Sequence, residues 1–237
     1  KKHVLIEKPM ALKFSEVKML FEESKRFNVK IMEGFMYAFH PQFDRIQNII
    51  KSNILGEVNY AHSMFSFPIQ PARFYRINRS IKNGGGALWD IGPYAIHTLR
   101  QCFEEKPKKV YASSKLNEHG ADISTTGVIL FENNKRATFD ISFECSRRSE
   151  YEVFGPKGRV KCPVVWQPEN SPAKIIYVTE SSGLKEEIVP SANHFNLEID
   201  HFNKVILKQA SPKLNSVDSI LNAKTMEALQ KSIAIDD

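Results

Sequence analysis

Three polar residues follow a run of three glycines in the segment 84–97, and their types suit acid–base chemistry. Asp90, Tyr94 and His97 are spaced four and three residues apart, which places side chains on one face of an α-helix. A carboxylate, a phenol and an imidazole on one face can move a proton or orient a hydroxyl group. The glycines allow close backbone approach, and we expect that approach to serve a bound ligand as well as the helix.

Each of these residues also has a structural explanation. Asp90 can cap the helix, because Pro93 fits the first turn and places the helix start close to Asp90. Tyr94 can be a half-buried ring with a satisfied hydroxyl, and His97 can be a hydrogen-bonded core histidine. The combination after three glycines, rather than any single residue, indicates a site.

A second candidate is Lys8, which follows the apolar run His3–Ile6. The run predicts a short buried strand. In open parallel sheets ligands bind beyond the carboxyl ends of the strands, so Lys8 lies where a site is expected. The bond before Pro9 is also where a cis peptide costs least. The alternative is an ordinary exposed lysine before a proline that ends the strand.

Two further segments carry candidate binding residues. Tyr37 and His40 lie in the segment 34–42, at a strand-to-helix junction where binding residues often occur. These aromatic rings can instead pack between two parts of the chain. Arg76 belongs to the basic segment 73–80, which can orient a polyhydroxyl substrate or cofactor phosphates, or be only a basic loop.

The elements that must position these residues fall into two groups. The first 55 residues read as strand, helix, strand and helix, with Ser15 as N-cap of the first helix and Pro41 opening the second, which suggests parallel α/β units. Period-two patterns then predict strands in six segments: 57–67, 108–116, 122–131, 136–145, 149–162 and 173–180. Turns at 132–134 and 155–158 favour antiparallel hairpins, and helices are predicted at about 195–209 and 217–233.

Composition excludes several classes of protein. With 42% hydrophobic and 25% charged residues, the 237-residue chain reads as globular. No apolar run approaches the ~20 residues that span a bilayer. The net charge is +6, but the lysines and arginines are scattered along the chain and form no basic tract, which argues against nucleic-acid binding. The three cysteines lack metal or disulfide spacing, so we expect no metal and a cytoplasmic location.

Four segments, in order along the chain, resemble the glucose-fructose oxidoreductase / inositol dehydrogenase family. They are EKPMAL (7–12), EGFMYAFHPQ (33–42), GGGALWDIGPYAIH (84–97) and VFGPKGRVKCPVVW (153–166). Within the family the chain looks most like the branch of dimeric dihydrodiol dehydrogenases and D-xylose dehydrogenases. The resemblance extends over essentially the whole chain.

The resemblance implies a fold class of α/β plus α+β, with the C-terminal remnant of a Rossmann domain (1–38) before a substrate-binding and dimerisation domain (39–237). That second domain is expected to be an open, mostly antiparallel sheet with flanking helices. The resemblance also implies a cis peptide before Pro9. The site residues expected are catalytic Lys8, Asp90 and Tyr94, substrate-binding Tyr37, His40, Arg76 and His97, and cofactor-binding Glu7, Lys8 and Pro9.

The chain departs from the family pattern in two places. The family's N-terminal βαβ units, with their glycine-rich fingerprint, have no counterpart, so we expect the chain to lack about a third of the family's length and to bind a dinucleotide poorly or not at all. Ala38 stands where the branch commonly carries arginine. This difference weakens any transfer of the branch's specific substrate.

The expected activity is hydride transfer between NADP or NAD and a hydroxyl carbon of a sugar or cyclic diol. Tyr94 would take the hydroxyl proton, Lys8 would lower the pKa of that tyrosine, and Asp90 would fix the geometry. The expected partners are a polyhydroxyl substrate and a second copy of the chain, without nucleic acid or membrane. The alternatives are a non-catalytic sugar-sensing relative, or only a dimerisation fragment.

Overall fold

A two-stranded parallel sheet and an eight-stranded mixed sheet organise the residues that the computed structural model describes, 1–103, 105–166 and 171–233. The helices are α1 Phe14–Arg26, α2 Pro41–Lys51, α3 Ala87–Asp90, α4 Gly92–Gln101, α5 His194–Ile206 and α6 Ser216–Ser232. The strands are β1 Val4–Glu7, β2 Ile31–Gly34, β3 Tyr60–Ser66, β4 Pro107–Leu116, β5 Asp122–Phe131, β6 Arg136–Ser142, β7 Arg148–Gly155, β8 Gly158–Cys162, β9 Ala173–Thr179 and β10 Gly183–Val189.

The first two strands are parallel, as the strand-helix-strand order predicts. Their register aligns Glu7 with Gly34, so both strands end at the same edge. The α1 helix begins earlier than predicted: its N-cap is Lys13, not Ser15. The reason is Glu16, whose side chain accepts a hydrogen bond from the backbone N–H of Lys13 at 3.2 Å and thereby fixes the first turn.

The large sheet has the strand order β10-β9-β8-β7-β3-β6-β5-β4. Both predicted hairpins, β5–β6 and β7–β8, are antiparallel, whereas β3 pairs with β6 in parallel. The prediction of an open, mostly antiparallel sheet with flanking helices is confirmed. The sequence did not predict β10, because its residues GLKEEIV form a largely exposed edge strand without a clear alternation of apolar residues.

A break after Asp90 separates α3 from α4, whereas the spacing predicted one helix beginning near Asp90. The backbone N–H of Leu88 donates to the Asp122 carboxylate at 2.7 Å. Asp122, and not Asp90, therefore provides the hydrogen-bond acceptor for a free N–H group at the helix start. Pro93 lies in the first turn of α4, where its missing N–H costs little. The two helices pack their buried faces, including Leu88 and Ile96, on the large sheet.

Three features bear on the expected chemistry within the described ranges. No group of three or more histidine, cysteine, aspartate or glutamate residues there could hold a metal ion. Cys102, Cys145 and Cys162 are free thiols. None of the helices described is long and apolar enough to cross a membrane.

Candidate active site

The side chain of Lys8 reaches Asp90 from the end of β1. Its Nζ donates a hydrogen bond to the Asp90 carbonyl oxygen at 2.5 Å and lies 3.5 Å from Oδ1 of the carboxylate. The other carboxylate oxygen accepts a hydrogen bond from Arg76. The peptide bond between Lys8 and Pro9 is cis. Asp90 therefore connects two cations at the end of the parallel strands.

Lys8 also lies over the ring of Tyr94. Its Nζ is 4.6 Å from the ring centroid, a distance at which a cation is attracted to the face of an aromatic ring. Only 10% of the Lys8 side chain is exposed. Burial lowers the pKa of Lys8, and the charge of Asp90 partly offsets that effect. The ammonium group is therefore held in place but poorly solvated.

The hydroxyl of Tyr94 contacts Met36. It donates to Sδ of Met36 at 3.5 Å, and a thioether is a weak acceptor that a ligand oxygen can replace. Burial raises the pKa of Tyr94 well above its usual range, and the charges of Glu7 and Asp90 raise it further. The net shift is therefore opposite to the one expected from Lys8, whose role in favouring the phenolate stays a prediction. The phenol is protonated at neutral pH.

Met36 also lines a cavity of about 720 Å³. The volume lies within the range of pockets that hold small organic ligands. Its other lining residues are Phe67, Pro68, Gln70, Arg73, Arg147, Ala192, Asn193, His194 and Phe195. Because Met36 both lines the cavity and contacts the Tyr94 hydroxyl, a ligand in the cavity that displaced its sulfur would meet a proton donor.

Residues 43–161 match the sequence profile of the GFO/IDH/MocA C-terminal domain. The chain belongs to this family. Two relatives align over nearly all of it. A trans-1,2-dihydrobenzene-1,2-diol dehydrogenase of Xenopus laevis is 27% identical over 97% of this chain and 71% of the relative. A D-xylose 1-dehydrogenase (NADP(+)) of Haloferax volcanii is 28% identical over 97% of this chain and 70% of the relative.

A solved structure shares the fold of this GFO/IDH/MocA chain. It is KijD10, a 3-ketoreductase from Actinomadura kijaniata, in complex with NADP and TDP-benzene. The TM-score is 0.88 at 23% sequence identity, and the match covers 98% of this chain and 71% of KijD10. The fold that the sequence motifs implied is therefore confirmed by two independent comparisons.

Two residues predicted to bind substrate in this family member, Tyr37 and His97, are buried behind Tyr94. Tyr37 accepts a hydrogen bond from the Thr98 hydroxyl at 2.9 Å and contacts Nδ1 of His97 at 2.5 Å. Nε2 of His97 lies 2.8 Å from the Asp218 carboxylate. Both imidazole nitrogens are engaged and the His97 side chain has 0% exposure. In the structure they hold α4 in place, and substrate contact by Tyr37 and His97 stays a prediction.

The remaining predicted residues lie at or near the strand ends. His40 is buried and caps α2, since its Nδ1 accepts from the backbone N–H of Gln42 at 3.1 Å, so substrate binding by His40 stays a prediction. Glu7 is exposed at the end of β1, and Pro9 follows Lys8. Their contact with a cofactor, and that of Arg76 with a substrate, also stay predictions.

The three glycines pack against the protein itself. A Cβ on Gly85 would lie 1.8 Å from the carbonyl oxygen of Arg79, and one on Gly86 would lie 1.9 Å from Oδ1 of Asp122. Gly84 and Gly86 have φ values of 80° and 92°, which favour glycine. The glycines are therefore required by the packing of the protein itself, because neighbouring chain atoms fill the space that a side chain would need, and their approach to a ligand stays a prediction.

Sequence reasoning missed Glu198, a buried carboxyl on α5. It is 4% exposed, and its Oε1 has no hydrogen-bond partner in the described part of the chain. A Cβ on Gly34 would lie 3.8 Å from that oxygen. Burial, with the charge of Glu7, raises the pKa of Glu198 to about 7. Its spacing of four residues from His194 was the one available signal, because both then share a helix face.

Proposed function

We propose that this GFO/IDH/MocA family member is an oxidoreductase that uses NADP or NAD and acts at a hydroxyl carbon of a sugar or cyclic diol. The observation that carries the proposal is the convergence of Lys8, Asp90 and Tyr94 at the end of β1. A relative named as an NADP(+)-dependent D-xylose dehydrogenase and a fold neighbour solved with NADP favour NADP.

The residues at the strand ends fit the nicotinamide end of such a cofactor. Glu7 and Gly34 end adjacent parallel strands, where open α/β sheets bind ligands. Glu198 offers a buried oxygen without a partner in the described residues beside Gly34. Glu7, Lys8 and Pro9 would hold this end. The 237 residues contain no G-x-G-x-x-G sequence for the diphosphate. When bound, the reduced cofactor supplies the hydride that the substrate carbonyl carbon accepts.

Tyr94 supplies the proton in the direction of reduction. Because its phenol is protonated at neutral pH, it can donate to the carbonyl oxygen as that oxygen gains negative charge. Lys8 then stabilises the phenolate that remains, and Asp90 fixes the position of Lys8. In the direction of oxidation, the same oxygen of Tyr94 accepts the hydroxyl proton.

The test uses the full-length gene product. Turnover of NADPH with sugar ketones and of NADP with diols and aldoses is compared for wild type, Tyr94→Phe and Lys8→Met. We expect kcat to fall by about 10²–10⁴-fold in both variants, and not in Tyr177→Phe, a control on β9. Near-normal turnover in both overturns the assignment. Binding without turnover favours the sugar-sensing alternative. The absence of both binding and turnover favours the dimerisation fragment.

The finer parts of this proposal are the domain division at residues 38 and 39, a cytoplasmic location and a homodimer through the large sheet. One face of that sheet is covered by helices, whereas residues such as Tyr111 and His62 on the other are partly exposed. Sedimentation should give a dimer that His62→Glu dissociates and Lys185→Glu, on the edge strand, does not. A monomeric wild type contradicts this part alone.

A further inference from the structure

Among the described residues, the lining of the cavity beside Met36 includes positive charge and no carboxylate. Arg73 and Arg147 line it, and none of the described lining residues is an aspartate or glutamate. Arg73 is exposed and lies within ion-pair distance of no carboxylate among the described residues. A cleft with one sign of charge raises the local concentration of ligands of the opposite sign.

The first residues of α5 form one wall of this cavity. Asn193, the N-cap, accepts a hydrogen bond from the backbone N–H of Asn196 at 3.0 Å. The N–H groups of the first helical positions, His194 and Phe195, have no partner within the helix. The positive end of the helix dipole therefore faces the same space as Arg73, and both favour an anion.

His194 supplies an independent sign that this wall meets a polar ligand. The residue is 6% exposed, lines the cavity, and has an Nδ1 atom that is buried without a hydrogen-bond partner in the described residues. An unpaired buried nitrogen costs free energy unless a ligand or water satisfies it. Phe67 and Phe195 border the same space with apolar rings, against which the carbon face of a sugar can pack.

We infer that this cavity binds a substrate with an anionic group, a phosphate or a carboxylate, held by Arg73, His194 and the start of α5. The inference rests on the proposed function, because the substrate would have its reacting carbon near Tyr94 and its anionic group in the cavity beyond Met36. The substrate class is then an acidic or phosphorylated sugar rather than a neutral sugar or diol. Arg73 and His194 determine specificity in this arrangement.

Binding measurements test this without relying on turnover. Glucose 6-phosphate, glucuronate and glucose share one ring and differ in charge, so titration calorimetry at low salt compares them directly. We expect one of the two anions to bind at least about tenfold more tightly than glucose, and that preference to weaken as salt is raised. The tighter of the two identifies phosphate or carboxylate as the group recognised.

Variants assign the preference to the cavity. Arg73→Gln should remove most of the anion preference, and His194→Phe should weaken anion binding. Arg79→Gln removes the same charge from an exposed residue outside the cavity lining and should have no effect. Equal binding of all three sugars, binding of none, or a preference that survives in Arg73→Gln overturns the inference.

The outcomes separate this inference from the proposed function. Turnover of neutral sugars without any charge preference would support the oxidoreductase and contradict the anion site. A charge preference that depends on Arg73, found in a protein that turns over no substrate with NADP or NAD, would support the anion site and contradict the oxidoreductase.

Discussion

Lys8 and Asp90 are joined by two contacts, a hydrogen bond of 2.5 Å to the backbone carbonyl oxygen and an ion pair of 3.5 Å to the carboxylate. The backbone contact fixes where the ammonium lies, and the carboxylate helps to keep it charged. Burial alone would push Lys8 toward the neutral amine. The position of Lys8 and its charge therefore depend on different atoms of the same residue.

Asp90→Asn should separate these two effects. The backbone hydrogen bond remains, but the negative charge that opposes burial is lost, so the pKa of Lys8 falls further below its ordinary value. Since we propose that the charged form of Lys8 stabilises the phenolate, we expect the alkaline limb of the kcat/KM profile to move to lower pH. The profile of Asp140→Asn, on the large sheet, serves as control. An alkaline limb that stays in place in Asp90→Asn would mean that Lys8 does not control it.

His97→Leu should affect stability more than catalysis. The substitution leaves the Tyr37 hydroxyl and the Asp218 carboxylate without their buried partner, so the free energy of unfolding should fall by about 2–4 kcal/mol. Tyr94→Phe loses only a hydroxyl contact to sulfur and should cost less than about 1 kcal/mol. Urea unfolding of both variants measures the difference. An unchanged stability with a raised KM in His97→Leu would instead support the predicted substrate contact.

The fold was predictable where the local pattern agrees with the tertiary environment. The strand Asp122–Phe131 has the predicted bounds because it is rich in isoleucine, valine and threonine, which favour strands, and turn residues flank it. The edge strand Gly183–Val189 was not predicted, since a strand with neighbours on one side only can be charged and exposed. The helix break after Asp90 depends on Asp122, which is distant in sequence and gives no local signal.

The site was predictable only in part for the same reason. Lys8, Asp90 and Tyr94 stand out because strand ends and helical spacing are local properties, and the structure brings them together. The burial of His97 depends on α6, which supplies Asp218 from more than a hundred residues away. The burial of Glu198 depends on how α5 packs on the segment after β2. Spacing along one helix does not show which neighbour covers its face.

Glu198→Gln should stabilise the protein at neutral and alkaline pH. In the unfolded chain Glu198 loses its proton near pH 4.5, whereas in the folded protein its pKa is about 7. The folded state therefore binds more protons between these values, and the free energy of unfolding falls as pH rises through that window. Glutamine cannot ionise, so at pH 8 the variant should be more stable than wild type by about 1–3 kcal/mol.

The comparison with wild type isolates this carboxyl from other titrating groups. Burial lowers the pKa of His40 and His194, which makes the protein more stable as pH rises through their unfolded values, opposite to the effect of Glu198. Both histidines remain in the variant, so their contributions cancel in the difference. Glu22→Gln, on the exposed face of α1, should show no such difference. A stability gap that does not change between pH 4 and pH 8 would contradict the raised pKa.

Gly86→Ala should destabilise the fold far more than Gly183→Ala, although both glycines have positive φ, 92° and 63°. A Cβ on Gly183 meets no heavy atom within 4 Å, so only backbone strain of about 1 kcal/mol is expected. A Cβ on Gly86 would lie 1.9 Å from Oδ1 of Asp122, the carboxylate that also holds the start of α3. Relieving that clash displaces the helix before Asp90, so we expect a loss of about 3 kcal/mol or more. Thermal unfolding of the two variants measures both losses, and equal, small losses would show that Asp122 can move without cost.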